Sequence, residues 1–382
     1  MRRKLARARV GSIEVEFPSG GRLAHVGDAP GPAASLRIER MRGAWRAATR
    51  GEAGLVDGWI DGDWTTPDLT SLIEWGARQD EAFFGRALDL APLRAWHRLR
   101  HRLRANTRRG SRANVIAHYD LGNDFYRAWL DEGMVYSSAR WDRGAADLEE
   151  AQRAKLAAIV ERLDLRGGER VLEIGCGWGA LAAAMAEAGA ARVQGLTLSP
   201  AQLDFARAEI GRRGLSDRVA LDLRDYRDET GTFDRIASVE MAEAVGEAFL
   251  PGYFRAIRQR LAAGGRAALQ VITIADAHFD AYRRRADFIQ RHVFPGGFLP
   301  SPGLLEREIA KAGLRLAAVE TFAESYARTL AEWRRRFLAA APRLDAMGYD
   351  GRFRRLWTYY LSYCEAGFRS GVIDVGLYTL EG

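Results

Sequence analysis

The chain has 382 residues, of which 47% are apolar and 28% charged, a composition typical of a folded protein that excludes a disordered one. Its length favours two domains. The 57 basic residues exceed the 50 acidic ones by seven, and the longest uncharged stretch, His292 to Leu305, is too short to span a bilayer. Two cysteines, Cys176 and Cys364, exclude a disulfide framework and a cysteine-built zinc site, and no other metal site is expected.

The N-terminal region predicts a small α+β domain. Residues 12–17 alternate polar and apolar side chains, which indicates a strand, and residues 36–47 predict a strand pair. Residues 66–71 favour a helix start, with Pro67 at an early helical position.

A basic segment follows. Residues 76–112 have a helical pattern, and the part from Arg94 to Arg112 holds eight arginines and no acid. This charge favours nucleic acid or an anionic membrane surface as a partner, although a solvated interdomain helix fits equally well. We interpret residues 1–110 as a lipid- or membrane-associating domain with a basic linker helix, and residues 111–382 as a catalytic domain.

From about residue 150 strands alternate with helices. We predict strands at 170–174, 192–197, 219–223, 233–238 and 267–274, with helices at 180–188 and 201–213. Repeated strand–helix units predict a Rossmann-like α/β domain in which helices cover both faces of a parallel-type sheet.

A glycine-rich string, Glu173–Gly179, joins the first of these strands to its helix. Ligands of such sheets bind at the carboxyl ends of the strands, and backbone amides near Gly175 could receive a carboxylate there. The string resembles the first motif of class I S-adenosylmethionine (SAM) methyltransferases and differs from the G-x-G-x-x-G dinucleotide fingerprint. The alternative is an ordinary strand-to-helix turn.

Further segments resemble the family of cyclopropane-fatty-acyl-phospholipid synthases and mycolic acid methyltransferases. They follow one another in the family's order from residue 118 to the C-terminus: His118–Tyr126, Val135–Trp141, Gly195–Gln202, Asp225–Asp228, Ser238–Gly246, Phe294–Ser301, Tyr326–Leu330 and Tyr359–Phe368. The resemblance implies that SAM is held by Tyr136, Ser137, Gly175, Gly177, Thr197, Leu198, Gln202, Tyr226 and Arg227. The segment Ser199–Gln202 is also a capping box by pattern.

The resemblance also implies the reaction. In the family the double bond of an acyl chain attacks the sulfonium methyl group, and a bound bicarbonate removes a proton from the resulting carbocation. Its ligands correspond to Ser138, Glu243, Gln270 and Tyr326, where Ser138 replaces a cysteine and Gln270 a histidine. Serine and glutamine still donate hydrogen bonds but carry no positive charge. We therefore expect the anion to bind differently or not at all, with Glu243 or Tyr326 closer to the proton transfer.

Several outcomes remain open at this stage. The expected activity is methyl or methylene transfer to unsaturated phospholipid acyl chains, giving either a cyclopropane or a methyl-branched chain. A nucleic-acid methyltransferase would need several aromatic residues interleaved with the arginines or an Asn-Pro-Pro-Tyr-like loop. The stretch Arg94–Arg112 holds one aromatic residue, Trp96, and the loop does not occur. A SAM-binding scaffold without catalysis is the third alternative. We expect a cytoplasmic protein bound peripherally to the inner face of the membrane, with a homodimer possible by analogy.

Overall fold

The computed structural model describes residues 5–79, 121–284 and 286–382. They fall into two compact units, one containing residues 5–79 and 330–372 and the other residues 121–329 and 373–382. The basic stretch Arg94–Arg112, the predicted domain boundary near residue 110, and His118 lie outside the described residues.

Strands and helices alternate in groups along the chain. In chain order they are β1 (Val10–Glu16), β2 (Arg22–Val26), β3 (Ala29–Ile38), α1 (Met41–Arg50), α2 (Glu52–Ile60), β4 (Trp64–Thr65), α3 (Leu69–Ala77), α4 (Asn123–Arg127), α5 (Leu148–Leu163), β5 (Arg170–Ile174), α6 (Ala180–Glu187), β6 (Arg192–Thr197), α7 (Pro200–Arg212), β7 (Val219–Leu223), β8 (Phe233–Val239), α8 (Ala242–Val245), α9 (Leu250–Arg260), β9 (Leu261–Ile274), α10 (Asp276–Tyr282), α11 (Phe288–His292), α12 (Pro302–Lys311), β10 (Arg315–Thr321), α13 (Ala323–Ala339), α14 (Ala341–Ala346), α15 (Gly351–Ser370) and β11 (Ile373–Glu381). Short 3₁₀ turns occupy Tyr226–Asp228 and Glu247–Phe249.

The first unit contains a four-stranded sheet in the order β2-β1-β3-β4. The strand predicted at 12–17 is confirmed as β1, but the strand pair predicted at 36–47 is wrong. Strand β3 ends at Ile38 and helix α1 begins at Met41. The alanines and arginines of this segment favour a helix, and tertiary packing decides between helix and strand. Pro67 is not in the helix either, since Asp68 is the N-cap of α3 and its carboxylate accepts a hydrogen bond from Ser71 N at 3.0 Å.

Helix α15 belongs to this first unit, which differs from the predicted domain division. The indole N–H of Trp59 donates to the carbonyl oxygen of Arg355 at 2.8 Å, and the buried hydroxyl of Thr70 donates to Glu365 at 3.0 Å. These partners are almost 300 residues apart in sequence, so a division based on local patterns placed residues 330–372 with the catalytic domain instead.

The second unit contains a seven-stranded sheet in the order β10-β11-β9-β8-β5-β6-β7. The five strands from β9 to β7 are parallel, and β11 runs antiparallel to both of its neighbours. The strands predicted at 170–174, 192–197 and 219–223 are confirmed at those bounds, and those near 233 and 267 are confirmed with longer bounds.

The chain crosses from one side of β5 to the other as it passes from β7 to β8, so the carboxyl end of β5 lies at the point where the strand order reverses. Ligands of open α/β sheets bind at such a point. Among the described residues, no helix combines the length and the apolar character needed to cross a bilayer.

Candidate active site

The glycine loop after β5 provides an open stretch of backbone. Gly175 and Gly177 have positive φ angles of 87° and 51°. A Cβ atom at Gly175 would lie 2.5 Å from Cγ of Met241, whereas one at Gly177 would meet nothing within 4 Å. Gly177 therefore borders open space, as a loop that approaches a ligand requires. The amides of Gly175 and Cys176 already donate to the carbonyl oxygen of Leu196 at 3.0 and 2.8 Å. These two amides are therefore not available to a ligand carboxylate, which differs from the expectation for amides near Gly175.

The end of β6 supplies a second wall. Thr197 Oγ1 donates to Gln202 Oε1 at 3.1 Å, which leaves the amide NH₂ group of Gln202 as its donor toward other partners. Ser199 caps α7 by accepting from the backbone N–H of Gln202 at 3.3 Å. The reciprocal side-chain bond of a capping box is replaced by the bond to Thr197. Leu198 lies between these residues and is half-buried.

Tyr226 and Arg227 lie in the 3₁₀ turn after β7. The Arg227 guanidinium binds the Asp225 carboxylate through two nitrogens at 2.8 and 2.6 Å, so its charge is already compensated. The Tyr226 ring packs edge-on against Tyr253 at 5.6 Å, and burial raises the pKa of Tyr226 to about 12. Tyr226 therefore offers a neutral aromatic surface.

An aromatic cluster connects Tyr136 with the glycine loop. The ring of Tyr126 lies 5.3 Å from that of Tyr136 and 5.2 Å from that of Trp178. Trp178 is fixed in turn, because its indole N–H donates to Asn123 Oδ1 at 2.8 Å. The ring of Tyr126 thus contacts both segments that the resemblance assigns to SAM. Each aromatic pair contributes about 0.5–1.5 kcal/mol to stability.

Three of the four predicted catalytic residues, Ser138, Gln270 and Tyr326, donate hydrogen bonds to a further residue, Glu240. One oxygen of the Glu240 carboxylate accepts from the backbone N–H of Ser138 at 2.9 Å and from Gln270 Nε2 at 2.8 Å. The other accepts from Tyr326 Oη at 2.6 Å. Ser138 contributes its backbone rather than its hydroxyl, which donates to the carbonyl oxygen of Ala139. The carboxylate is therefore held by three donors.

The backbone at Glu240 is unusual. Its φ of 51° lies in the left-handed region, which favours glycine and costs another residue about 1–2 kcal/mol. Gln270 stabilises this conformation, because its carbonyl oxygen accepts the Glu240 N–H at 2.8 Å while its side chain binds the Glu240 carboxylate. Strain held in place by its surroundings is typical of functional positions.

Glu243 lies one helical turn further on, in α8. One of its oxygens accepts from the backbone N–H of Ile272, and the other is buried without a hydrogen-bond partner. Burial, and then the nearby charge of Glu240, raise the pKa of Glu243 to about 8. Glu243 is therefore mostly protonated at neutral pH, while the hydrogen bonds from Tyr326, Ser138 and Gln270 favour the ionised form of Glu240 against a burial that raises its pKa.

Lys155 lies beneath the loop that carries Tyr136, Ser137 and Ser138. Its Nζ, 2% exposed as a residue, donates to Ser137 Oγ at 2.9 Å. Burial lowers the pKa of Lys155 to about 8, against the charges of Glu240, Asp131 and Glu173, which raise it. Gln152, one turn earlier on α5, donates to the carbonyl oxygen of Ser137 at 2.9 Å. Two side chains of helix α5 thus fix this loop through Ser137.

Two of these carboxyl groups have raised pKa values of their own. Burial raises the pKa of Glu173 to about 8 and that of Asp131 to about 6. Glu173 Oε2 is buried and has no hydrogen-bond partner, so a polar group of a ligand at the glycine loop would satisfy it. Together with the open space at Gly177, this orphaned atom fits a cofactor carrying hydrogen-bond donors.

Sequence reasoning missed Glu240 and Lys155. Glu240 stands inside the motif Ser238–Gly246 and directly after a buried strand, which was the one local signal for it. Lys155 is one of only three lysines among 57 basic residues, and it lies in an otherwise alanine- and leucine-containing part of α5. No group of three or more His, Cys, Asp or Glu residues suited to a metal is present in residues 5–79, 121–284 or 286–382.

Comparison with known proteins agrees with this site. The family model for mycolic acid cyclopropane synthetase matches residues 106–377. The chain is 37% identical to tuberculostearic acid methyltransferase UfaA1 of Mycobacterium tuberculosis, over 91% of this chain and 83% of that protein. It is 36% identical to cyclopropane-fatty-acyl-phospholipid synthase of Escherichia coli, over 95% of this chain and 91% of that protein.

Solved structures show the same fold. The cyclopropane synthase MmaA2 of M. tuberculosis superposes with a TM-score of 0.67 at 30% identity, over 71% of this chain and 98% of that one. The mycolic acid cyclopropane synthase CmaA1, solved with S-adenosylhomocysteine, superposes with a TM-score of 0.66 at 30% identity, over the same shares of the two chains. The chain therefore belongs to the mycolic acid cyclopropane synthetase family and is a SAM-dependent methyltransferase that modifies lipid acyl chains.

Proposed function

We propose that this enzyme methylates a double bond in the acyl chain of a membrane phospholipid and that Glu240 accepts the proton released afterwards. The observation that supports it is the Glu240 carboxylate, held by Ser138, Gln270 and Tyr326. SAM supplies an electrophilic methyl group. We propose that the residues that hold it are Tyr136, Ser137, Gly175, Gly177, Thr197, Leu198, Gln202, Tyr226 and Arg227.

Glu240 is better suited as the base than its neighbours. An alkene is a weak nucleophile, and its methylation leaves a carbocation that must lose a proton to a nearby acceptor. Glu243, with a pKa of about 8, is mostly protonated at neutral pH and accepts no further proton. The neutral phenol of Tyr326 donates to Glu240 and so fixes the direction of the carboxylate. Burial raises the pKa of Glu240, which strengthens its carboxylate as a base, while the hydrogen bonds from Tyr326, Ser138 and Gln270 favour the carboxylate form.

This arrangement makes an added bicarbonate unnecessary. The resemblance to the family places bicarbonate among Ser138, Glu243, Gln270 and Tyr326, but three of these residues already donate to Glu240. The three donors that would bind a second anion are already taken by the Glu240 carboxyl group, and the neutral amide of Gln270 carries no positive charge to attract an anion. We propose that the resident carboxylate replaces bicarbonate. Activity in carbon-dioxide-free buffer should be unchanged when bicarbonate is added, and a clear stimulation would contradict this assignment.

We further propose that the product is a methyl-branched chain that keeps a double bond. The enzyme departs from the family pattern at Ser138 and Gln270, which hold the proposed base Glu240. The base decides which proton leaves the carbocation. The 37% identity to a tuberculostearic acid methyltransferase supports this product. The 36% identity to a cyclopropane-fatty-acyl-phospholipid synthase supports ring closure as the second candidate.

Lipid analysis separates the two products. Cells that express the enzyme should contain acyl chains heavier by one CH₂ group in either case. Mild catalytic hydrogenation should then add two hydrogens to a branched alkene and none to a cyclopropane. Recovery of cyclopropane lipid alone would refute the branched product while leaving the methyl transfer intact. No mass gain in cells that contain E240Q would support Glu240 as the base.

The substrate class implies a place of action. Because a phospholipid acyl chain lies in a bilayer, we propose that the enzyme associates peripherally with the inner face of the membrane. By analogy with the family, we also propose that it acts there as a homodimer. Sedimentation with vesicles and the mass of the protein in solution test these two points separately.

A further inference from the structure

Helix α1 exposes an apolar stripe in the first unit. Met41 and Trp45 are 58% and 66% exposed, and Ala48, one turn further, is exposed as well. Their spacing of four and three residues places them on one face of the helix. An exposed tryptophan is uncommon on a protein surface that meets only water, and beside a methionine at this spacing it indicates a contact surface.

Residues beside and opposite the stripe fasten α1 to its unit. Arg42 Nε and Arg46 Nη1 bind the two oxygens of Asp63 at 2.6 and 3.0 Å, and Asp63 is fully buried. Gly43 lies so close that a Cβ atom there would be 2.7 Å from Cβ of Asp63. The helix is therefore held in one orientation, and the exposed stripe is a fixed surface that loses little conformational entropy on binding.

Exposed positive charge lies beside the start of the stripe. The side chains of Arg40 and Arg42 are 58% and 52% exposed. Both pair with Asp63, which is inaccessible to solvent. A ligand that approaches this end of α1 therefore meets the guanidinium groups before it meets the carboxylate.

We propose that the exposed face of α1, formed by Met41, Trp45 and Ala48 with Arg40 and Arg42 beside it, docks on the surface of an anionic phospholipid bilayer. An indole beside a thioether enters the boundary between head groups and acyl chains, and guanidinium groups bind the phosphates. This inference deepens the proposed function and rests on it, because the proposed phospholipid substrate lies in the membrane.

Vesicle sedimentation tests the surface directly. The full-length enzyme is mixed with vesicles of phosphatidylglycerol and phosphatidylethanolamine, or of phosphatidylcholine alone. We expect stronger binding to the anionic vesicles, weakened by high salt because the arginines are exposed. W45S and M41S should each weaken binding, W45S by about tenfold or more, since an indole that is largely exposed loses its burial in the lipid.

Leu338, another large apolar side chain, is 48% exposed on a different helix, so L338S is the matched control and should bind like the wild type. Arginine variants are avoided, because Arg42 and Arg46 neutralise buried Asp63. Thermal melts confirm that each variant is folded.

Binding by W45S and M41S equal to that of the wild type would overturn the proposal. So would conversion of a wild-type dimer to a monomer by W45S with unchanged vesicle binding, which would assign this face to a second copy of the chain. Methyl transfer to phospholipid dispersed in detergent separates this inference from the proposed function. W45S should remain active there, whereas a wild type that binds vesicles but methylates no lipid would refute the function alone.

Discussion

Replacement of Lys155 by methionine should leave the free energy of unfolding of the enzyme nearly unchanged at neutral pH. The fall in the pKa of Lys155 from 10.5 to about 8 corresponds to about 3 kcal/mol that the folded protein loses by holding this charge in its interior. Methionine has a similar length and carries no charge. It also gives up the hydrogen bond to Ser137, which is worth about 1.5–3 kcal/mol when the donor is charged. The two effects nearly cancel at pH 7.

The pH dependence distinguishes this explanation from ordinary loss of packing. Between about pH 8 and 10.5 the unfolded chain holds the Lys155 proton and the folded chain does not, so the wild type gains stability as pH rises through this range. K155M lacks this gain. The free energy of unfolding of K155M minus that of the wild type should therefore fall by about 2–3 kcal/mol from pH 7 to pH 10.

Thermal melts of both proteins at several pH values measure this difference, at about 2–4 °C per kcal/mol for a unit of this size. S137A is the matched control, because it removes the same hydrogen bond but leaves the buried charge without its partner. S137A should be less stable than K155M at pH 7. A difference between K155M and the wild type that does not change with pH would refute the reasoning.

Three further predictions concern the carboxyl groups. E240Q should reduce methyl transfer by about 10²-fold or more with SAM binding retained by calorimetry, because the amide cannot accept the proton; activity near that of the wild type would exclude Glu240 as the base. Y326F removes a hydrogen bond that lowers the pKa of Glu240, so the acid limb of the pH–rate profile should move to higher pH, and an unchanged limb would argue against their coupling. The pKa of Glu243 is raised in the fold, so wild-type stability should fall as pH rises from about 4.5 toward 8. E243Q should flatten this part of the stability curve measured by thermal melts, and an identical slope would contradict it.

The central sheet was predictable because its strands are buried on both faces. Arg170–Ile174 and Arg192–Thr197 are short apolar runs between glycine turns and helices, and the structure has them at those bounds. The N-terminal unit was harder, since residues 36–47 contain both strand- and helix-favouring side chains and only packing selects α1. The association of α15 with residues 59 and 70 depends on contacts across almost the whole chain, which no local pattern carries.

Part of the candidate site was also predictable. The resemblance named Ser138, Gln270 and Tyr326, and the structure brings them together, but around a side chain that the sequence interpretation had left out. Loss of a histidine and a cysteine was visible in the sequence. The placement of the Glu240 carboxylate beside their replacements was not visible, because a left-handed backbone at a glutamate follows from tertiary hydrogen bonds and not from the local pattern.

The backbone at Glu240 sets two contributions to stability against each other. Glycine is the residue that its φ of 51° accepts most readily, and it would relieve about 1–2 kcal/mol of strain. The same replacement would remove the acceptor of Ser138, Gln270 and Tyr326, at about 1–3 kcal/mol for each buried donor left unpaired. Variants selected for thermal robustness should therefore keep the glutamate, and stabilising substitutions for practical use should be sought elsewhere in the chain.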